Sequence, residues 1–381
     1  MPAYHQMGHD SENLLFADGL ERYSGAILSP INYEEARVAL QIERAREARD
    51  FDTVFDPQLY YPRTERGVLR EWDYFPDDFD TADLSSSQWW STLCQRLRDT
   101  CVRLRPSAVC SPAIVPATYS DDYFATTLQV GNDFVSLLAG TDISPIQTVI
   151  VSYAELSNPT RVRTIASIVS QAKAARVFLV LTGETEPRRE LTDTEQLKGA
   201  MKLISLLEGA RLPVVVGFCS SDVILWKAAG ASFCSTGKFF NLRRFTRARF
   251  EEPAAGGGQL PYWFEESLYA FVRESDILRI RPHGLIDGTL ERNPFAMEII
   301  RRLEANPGQA WIALGWRQYL CWFADFEERV ANGSISPGRL LQSAEAAWIQ
   351  LSDNDVLMEE VRNDGSWLRP WRRAVAEFRS L

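Results

Sequence analysis

The chain has 381 residues, 45% hydrophobic and 24% charged, which excludes a mostly disordered chain and a collagen-like or coiled-coil fibre. Lys and Arg number 41 against 51 Asp and Glu, a net charge of −10, so a surface coated in basic groups for nucleic acid is excluded while a local basic patch is not. The length implies two or three domains, or one large barrel with an extension.

Residues 1–19 read as a polar tail without the apolar core of a signal peptide. Two of the three histidines, His5 and His9, fall in it, so a His/Cys zinc site of the usual spacing is not expected. No stretch reaches the roughly 18 apolar residues of a membrane span. Cys94, Cys101, Cys110, Cys219, Cys234 and Cys321 form no CxxC pair and sit within or beside apolar runs. They are expected as reduced, buried thiols of a cytoplasmic protein.

From residue 25 a pattern repeats, in which a short apolar run ends in small or polar residues and an amphipathic stretch follows. The runs are 25–30, 53–58, 107–112, 148–154, 177–182, 213–219, 231–236 and 276–281. Most are continuously apolar, as a parallel strand buried on both faces requires. The intervening stretches read as helices. Asn32 with Glu35, and Thr192 with Glu195, fit capping boxes before 34–49 and before the stripe Leu197, Met201, Ile204, which Gly209 can close. Asn158 followed by Pro159 is a cap with a first-turn proline. Trp89, Leu93, Leu97 and Cys101 form a core-facing stripe.

Eight strands alternating with helices admit a closed (β/α)8 barrel or an open doubly wound sheet. The count of eight and the absence of GxGxxG after the first strand favour the barrel, expected over 20–285. Long connections at 59–84 and 113–147 leave the C-terminal ends of strands, where barrel enzymes place functional loops. Residues 286–381 are expected as a helical extension, with helices at 295–305, 310–330, 337–351 and 369–381. Trp311, Trp316, Trp322, Trp348, Trp367 and Trp371 cluster there. That clustering suits a packed appendage better than base stacking. Gly256 to Gly258 is the one hinge-like run.

The sharpest feature spans 213–249: strand, small-residue turn, short helix, Gly-Ala step, strand, Thr-Gly. Gly217, Ser220 and Ser221 form the first turn, Ala229, Gly230 and Ala231 the step, and Thr236 and Gly237 the second turn. Small side chains let backbone N–H groups approach an anion, and a helix N-terminus adds partial positive charge. This arrangement resembles the late half of phosphate-binding (β/α)8 barrels, although Phe218-Cys219 replaces their paired glycines. The resemblance implies a phosphate-bearing ligand at these turns. Residues 232–244 (SFCSTGKFFNLRR) are also distantly similar to tRNA-guanine transglycosylases, whose late strand carries a nucleophilic aspartate before an arginine-bearing loop. Here the arginines stand, but the aspartate and the zinc-binding cysteine cluster do not, so no nucleophile is carried over.

Lys238, Arg243, Arg244, Arg247 and Arg249 make the densest basic stretch of an acidic chain. It suits an anionic substrate, a nucleotide or a nucleic-acid backbone. The alternative is a solvated helix paired with Glu251 and Glu252. STGK is not a nucleotide-binding loop, since Ser232 stands where the first glycine belongs and Phe239 follows the lysine. Other strand ends offer Asp56 and Gln58 beside Tyr60 and Tyr61, then Tyr153 with Glu155, and Thr182 with Glu184. In a barrel these converge on one mouth. Asp56, Glu155, Glu184 and Lys238 are the expected catalytic groups. Gln58, Tyr153, Ser220, Ser221, Thr236, Gly237, Arg243 and Arg244 are the expected substrate contacts. Scattered carboxylates can take Mg²⁺, but nothing specifies a ligand set, and no cofactor signature is present. Two functions stay open: a metal- and nicotinamide-independent transferase, lyase or hydrolase of a phosphate-bearing or nucleotide-like substrate, and a non-catalytic barrel subunit that binds protein, a second copy or nucleic acid.

Overall fold

A computed structural model describes residues 3–48, 51–63, 66–251 and 259–380. Eight parallel strands close into a (β/α)8 barrel: β1 (Ala3–Gln6), β2 (Tyr23–Leu28), β3 (Asp52–Phe55), β4 (Ala108–Cys110), β5 (Ser144–Ser152), β6 (Arg176–Thr182), β7 (Val214–Val216) and β8 (Phe233–Thr236). They run in sequence order, and β8 pairs back onto β1. Seven of the expected runs supply β2 to β8. Helices Glu35–Ala48, Ser87–Leu104, Asp121–Leu137, Pro159–Val169, Thr194–Gly209 and Val223–Ala228 follow β2 to β7. Asn158 caps as its residue type requires, accepting from the amides of Thr160 and Arg161. Two caps differ from expectation. Asp193, not Thr192, accepts from the Gln196 amide, and the Asn32 side chain bonds Ser29.

Two strand assignments are corrected. The segment expected as a tail contains β1, so the barrel begins at residue 3 rather than 20. Four residues of sequence AYHQ are too short and too polar to register as an apolar run. The Tyr4 hydroxyl finds its partners only on other strands of the barrel. The Tyr4 hydroxyl donates to Asp52 at 2.6 Å, and Arg176 reaches both, at 2.8 Å and 2.9 Å. Residues 276–281 are not a strand: 276–280 belong to helix Glu274–Ile280 and Arg281 opens the 3-10 turn Arg281–His283. Asp276 accepts from the Arg273 amide at 3.0 Å and the Glu359 amide at 2.7 Å, and Ile277 and Ile280 are buried at helical spacing.

The extension also starts earlier than expected, with an antiparallel hairpin of β9 (Trp263–Glu265) and β10 (Ala270–Val272). Helices Ala296–Ala305, Ile312–Ala331, Pro337–Asp353 and Leu368–Arg379 stand where helical periodicity puts them. Helix Ile312–Ala331 packs on β1, β8 and helix Val223–Ala228, so it takes the outer-layer place at the seam where the barrel closes. The Tyr23 hydroxyl donates to the Leu320 carbonyl at 2.9 Å, and Thr236 bonds Tyr319 at 2.8 Å. Trp311, Trp322, Trp348, Trp367 and Trp371 are buried in this packing and Trp316 is half-buried. Five cysteines are buried free thiols and Cys321 is half-buried. No helix among the described residues is long and apolar enough to cross a membrane. Glu252 and Gly256 to Gly258 lie outside the described residues, as do Arg49 and Leu381 at the ends of their expected helices.

Candidate functional site at the barrel mouth

The loop after β8 decides the shape of the mouth. It leaves the strand at Gly237, where a Cβ would meet the Gln6 carbonyl at 2.6 Å, so only glycine fits. It then crosses the C-terminal end of the barrel. Phe245 makes an isolated parallel bridge with Thr182 at the end of β6. Its ring packs on Tyr60, Phe218 and Phe250 at 5.1, 5.2 and 5.7 Å. Phe245 is 2% exposed and closes the centre of the mouth. The cations of the loop turn inward with it. Lys238, Arg243, Arg244 and Arg249 are all buried, and only Arg247 is solvated, paired with Glu251 at 2.9 Å.

On one side of Phe245 lies Asp56. Its carboxylate accepts from the Tyr60 hydroxyl at 3.0 Å on both oxygens and from the Gln58 amide at 3.1 Å. Burial pushes Asp56 up to about 6, against the lowering by these bonds and by Arg249. Arg249 donates to Ser29 Oγ at 3.1 Å, and Ser29 donates to Gln58 Oε1 at 3.1 Å. Burial lowers Arg249 to about 10, so it stays charged at neutral pH. Gln58 holds φ +53°, a left-handed conformation that costs about 1–2 kcal/mol in a non-glycine residue.

On the other side lie Glu190 and Asp222. Glu190 accepts from Ser221 Oγ and pairs with Arg244 at 3.4 Å, while Arg244 also donates to the Arg189 carbonyl. Asp222 accepts from the Ser220 amide at 2.8 Å, and burial pushes it up to about 7, with Arg244 lowering it and Glu190 raising it. Tyr153 is buried facing Asp222 and Arg244.

The structure therefore brings Asp56 and Gln58 together, and Tyr153, Ser220, Ser221 and Arg244 together. The remaining expected residues go elsewhere. Lys238 donates to the Asp10 carbonyl at 3.0 Å and lies over the Phe239 and Trp316 rings, with burial lowering it to about 8. Arg243 spends its fork on the carbonyls of Gly237 and Lys238, both at 2.9 Å, with its guanidinium 3.6 Å from the Tyr319 ring centre. Thr236 bonds the Cys219 carbonyl. Glu155 pairs with Arg161 at 2.7 Å, and Glu184 is exposed. Ser29, Glu190 and Asp222 escaped the sequence reading. Asp222 had a signal, as an acid opening the short helix after β7, whereas Glu190 had none.

Several buried polar atoms at the mouth have no partner among the described residues, Asn241 Oδ1 and Thr246 Oγ1 of the β8 loop included. The side-chain donors Gln6 Nε2, Gln58 Nε2, Arg244 Nε and Arg249 Nε are buried without an acceptor among the described residues. Gln6 belongs to β1 and the others to the connections that close over it. Uncompensated buried donors cost about 1–3 kcal/mol each. Among the described residues no group of three or more His, Cys, Asp or Glu is arranged to hold a metal.

Two cavities flank the closed centre. One, of about 1030 Å³, lies between the β3 and β4 connections and the end of the β8 loop, walled by Tyr60, Tyr61, Phe79, Trp90, Tyr123 and Phe250. The other, of about 800 Å³, is more polar and reaches Glu190 between the β6 connection and the C-terminal segment 360–367.

No protein-family model matches the chain, and no curated protein matches it. Among solved structures it is similar to the putative copper homeostasis protein CutC from Streptococcus agalactiae, at 11% identity over 65% of this chain and all of that one, TM-score 0.38. It is similar to 3-hexulose-6-phosphate synthase at 15% identity over 62% of this chain and 90% of that one, TM-score 0.35. It also resembles a chain of the tryptophan synthase complex from Pyrococcus furiosus, at 13% identity over 62% of this chain and 86% of that one, TM-score 0.36. The assignment of the fold rests on the strand pairing itself.

Proposed function

We propose that the protein is a barrel enzyme acting on an anionic, phosphate-bearing or nucleotide-like substrate whose anion is held at the mouth by Arg249, Arg244 and the side-chain amide of Gln58. The observation that carries this reading is the set of buried donors without acceptors. A phosphate offers several acceptor lone pairs at once and forms charge-assisted bonds to guanidinium. Asp56 is the group placed to exchange a proton with a ligand there. It lies beside the donors, and a carboxyl raised to about 6 is present in both forms near neutral pH. Entry requires Phe245 to move aside.

Thermal unfolding with inorganic phosphate, sugar phosphates and nucleoside monophosphates tests the reading. A ligand at about 100 times its Kd stabilises by about 2.7 kcal/mol. Arg249→Gln should weaken binding by about 1.5–3 kcal/mol, the worth of a charged hydrogen bond. The buried, ring-packed Phe245 favours a second reading, a non-catalytic barrel subunit. That reading prevails if no anion stabilises either the native chain or Phe245→Ala.

A further inference from the structure

The larger cavity adjoins the mouth donors through a single side chain. Tyr60 forms part of its wall, and the Tyr60 hydroxyl sits on both oxygens of Asp56. Phe250, also in the wall, directly follows Arg249. The cavity is walled mainly by the two long connections, 59–84 and 113–147, with the end of the β8 loop, and of these connections only Tyr60 touches the anion site. About 1030 Å³ is ample for a ring system, and an apolar wall with a few polar groups is the usual form of a small-molecule site.

Its charges define the ligand. Arg63 is paired with Asp80 at 2.7 Å and lies over the Phe79 ring. Arg247 is paired with Glu251 and lies over the Tyr61 ring. Neither cation is left over for an anion in the cavity, and Asp122 adds an exposed carboxylate on the far wall. An anion is therefore disfavoured inside and favoured at the Tyr60 end, toward Arg249. Aromatic walls favour a planar ring by offset or edge contacts.

We propose that this cavity binds the uncharged ring of an aryl or heteroaryl phosphate, whose anionic group reaches past Tyr60 to the mouth donors. The proposal rests on the anion site described under Proposed function and adds to it a second, separable half.

Three probes separate the halves: 1-naphthol for the ring, inorganic phosphate for the anion, and 1-naphthyl phosphate for both. The aryl probes are followed by fluorescence titration and phosphate by thermal shift. Thr126→Trp on one wall and Ser85→Trp on another crowd the cavity from two sides, so that loss of fold in one variant leaves the other. The joined probe should bind at least about tenfold more tightly than 1-naphthol, the factor that about 1.4 kcal/mol represents. Blocking the cavity should remove 1-naphthol, bring 1-naphthyl phosphate down to the affinity of inorganic phosphate, and leave the phosphate response intact. Arg249→Gln should bring 1-naphthyl phosphate down to the affinity of 1-naphthol. Unchanged aryl binding in both folded wall variants overturns the cavity site, and a joined probe no tighter than its parts overturns the joined site. If phosphate binds neither the native chain nor Phe245→Ala, the anion reading falls and takes the joined site with it. Phosphate binding without any ring binding sinks the cavity alone.

Discussion

Asp56 shows how burial turns an ordinary turn residue into a titrating one. Its carboxyl is raised to about 6, whereas an unfolded aspartate loses its proton near pH 4. Between those values the native chain holds a proton that the unfolded chain has lost. Stability must therefore fall as pH rises through that window, by about 2–3 kcal/mol in total from this residue. Asp56→Asn should flatten that part of the stability profile, measured by urea unfolding between pH 4 and pH 7. An unchanged slope would show that Asp56 is ionised throughout. Asp56 was legible in the sequence as an acid ending a strand. Its charge partner was not, because Arg249 arrives from a loop after β8 and only closure of the mouth puts the two together.

At the scale of elements, the join between barrel and extension has one charged contact at its centre. Lys227 on helix Val223–Ala228 pairs with Glu327 on helix Ile312–Ala331 at 3.3 Å, both buried. Lys227 is further held by the carbonyls of Ala231 and Ser232, while burial pushes Glu327 up to about 7. Breaking a buried pair strands a charge, so Lys227→Met should destabilise by about 3–5 kcal/mol in urea unfolding. The double variant Lys227→Met/Glu327→Leu should recover most of that loss. A double variant as unstable as the single one would assign the contact to packing rather than charge. Local sequence pattern marked both helices. It carried no information on which faces would meet, since Glu327 reads as one acid among several on a polar stretch.

At the scale of the whole molecule, the barrel depends on its least conspicuous strand. β1 pairs with both β2 and β8, and its Tyr4 completes the Asp52–Arg176 contact at the opposite end from the mouth. Without it, two strands become open edges and Gln6 leaves the mouth. Deletion of residues 1–8 should abolish cooperative thermal unfolding, followed by near-ultraviolet circular dichroism. A deletion protein that still unfolds in one sharp transition would mean that the barrel tolerates an open seam.

The sequence by itself determined the alternation. Runs that must be buried on both faces mark seven parallel strands, and caps and stripes place the helices that cover them, because these signals are local. Five cations within twelve residues were equally visible as composition. Only the tertiary structure decided where those cations point, since Phe245 anchors the loop to β6 and draws four of the five out of water. It also decided that a polar tetrapeptide is a strand and that DILRIR is helical. In both cases the partners of the polar side chains, Asp52 with Arg176 for β1 and the amides of Arg273 and Glu359 for Asp276, are supplied by the fold and not by the apolar pattern of the segment.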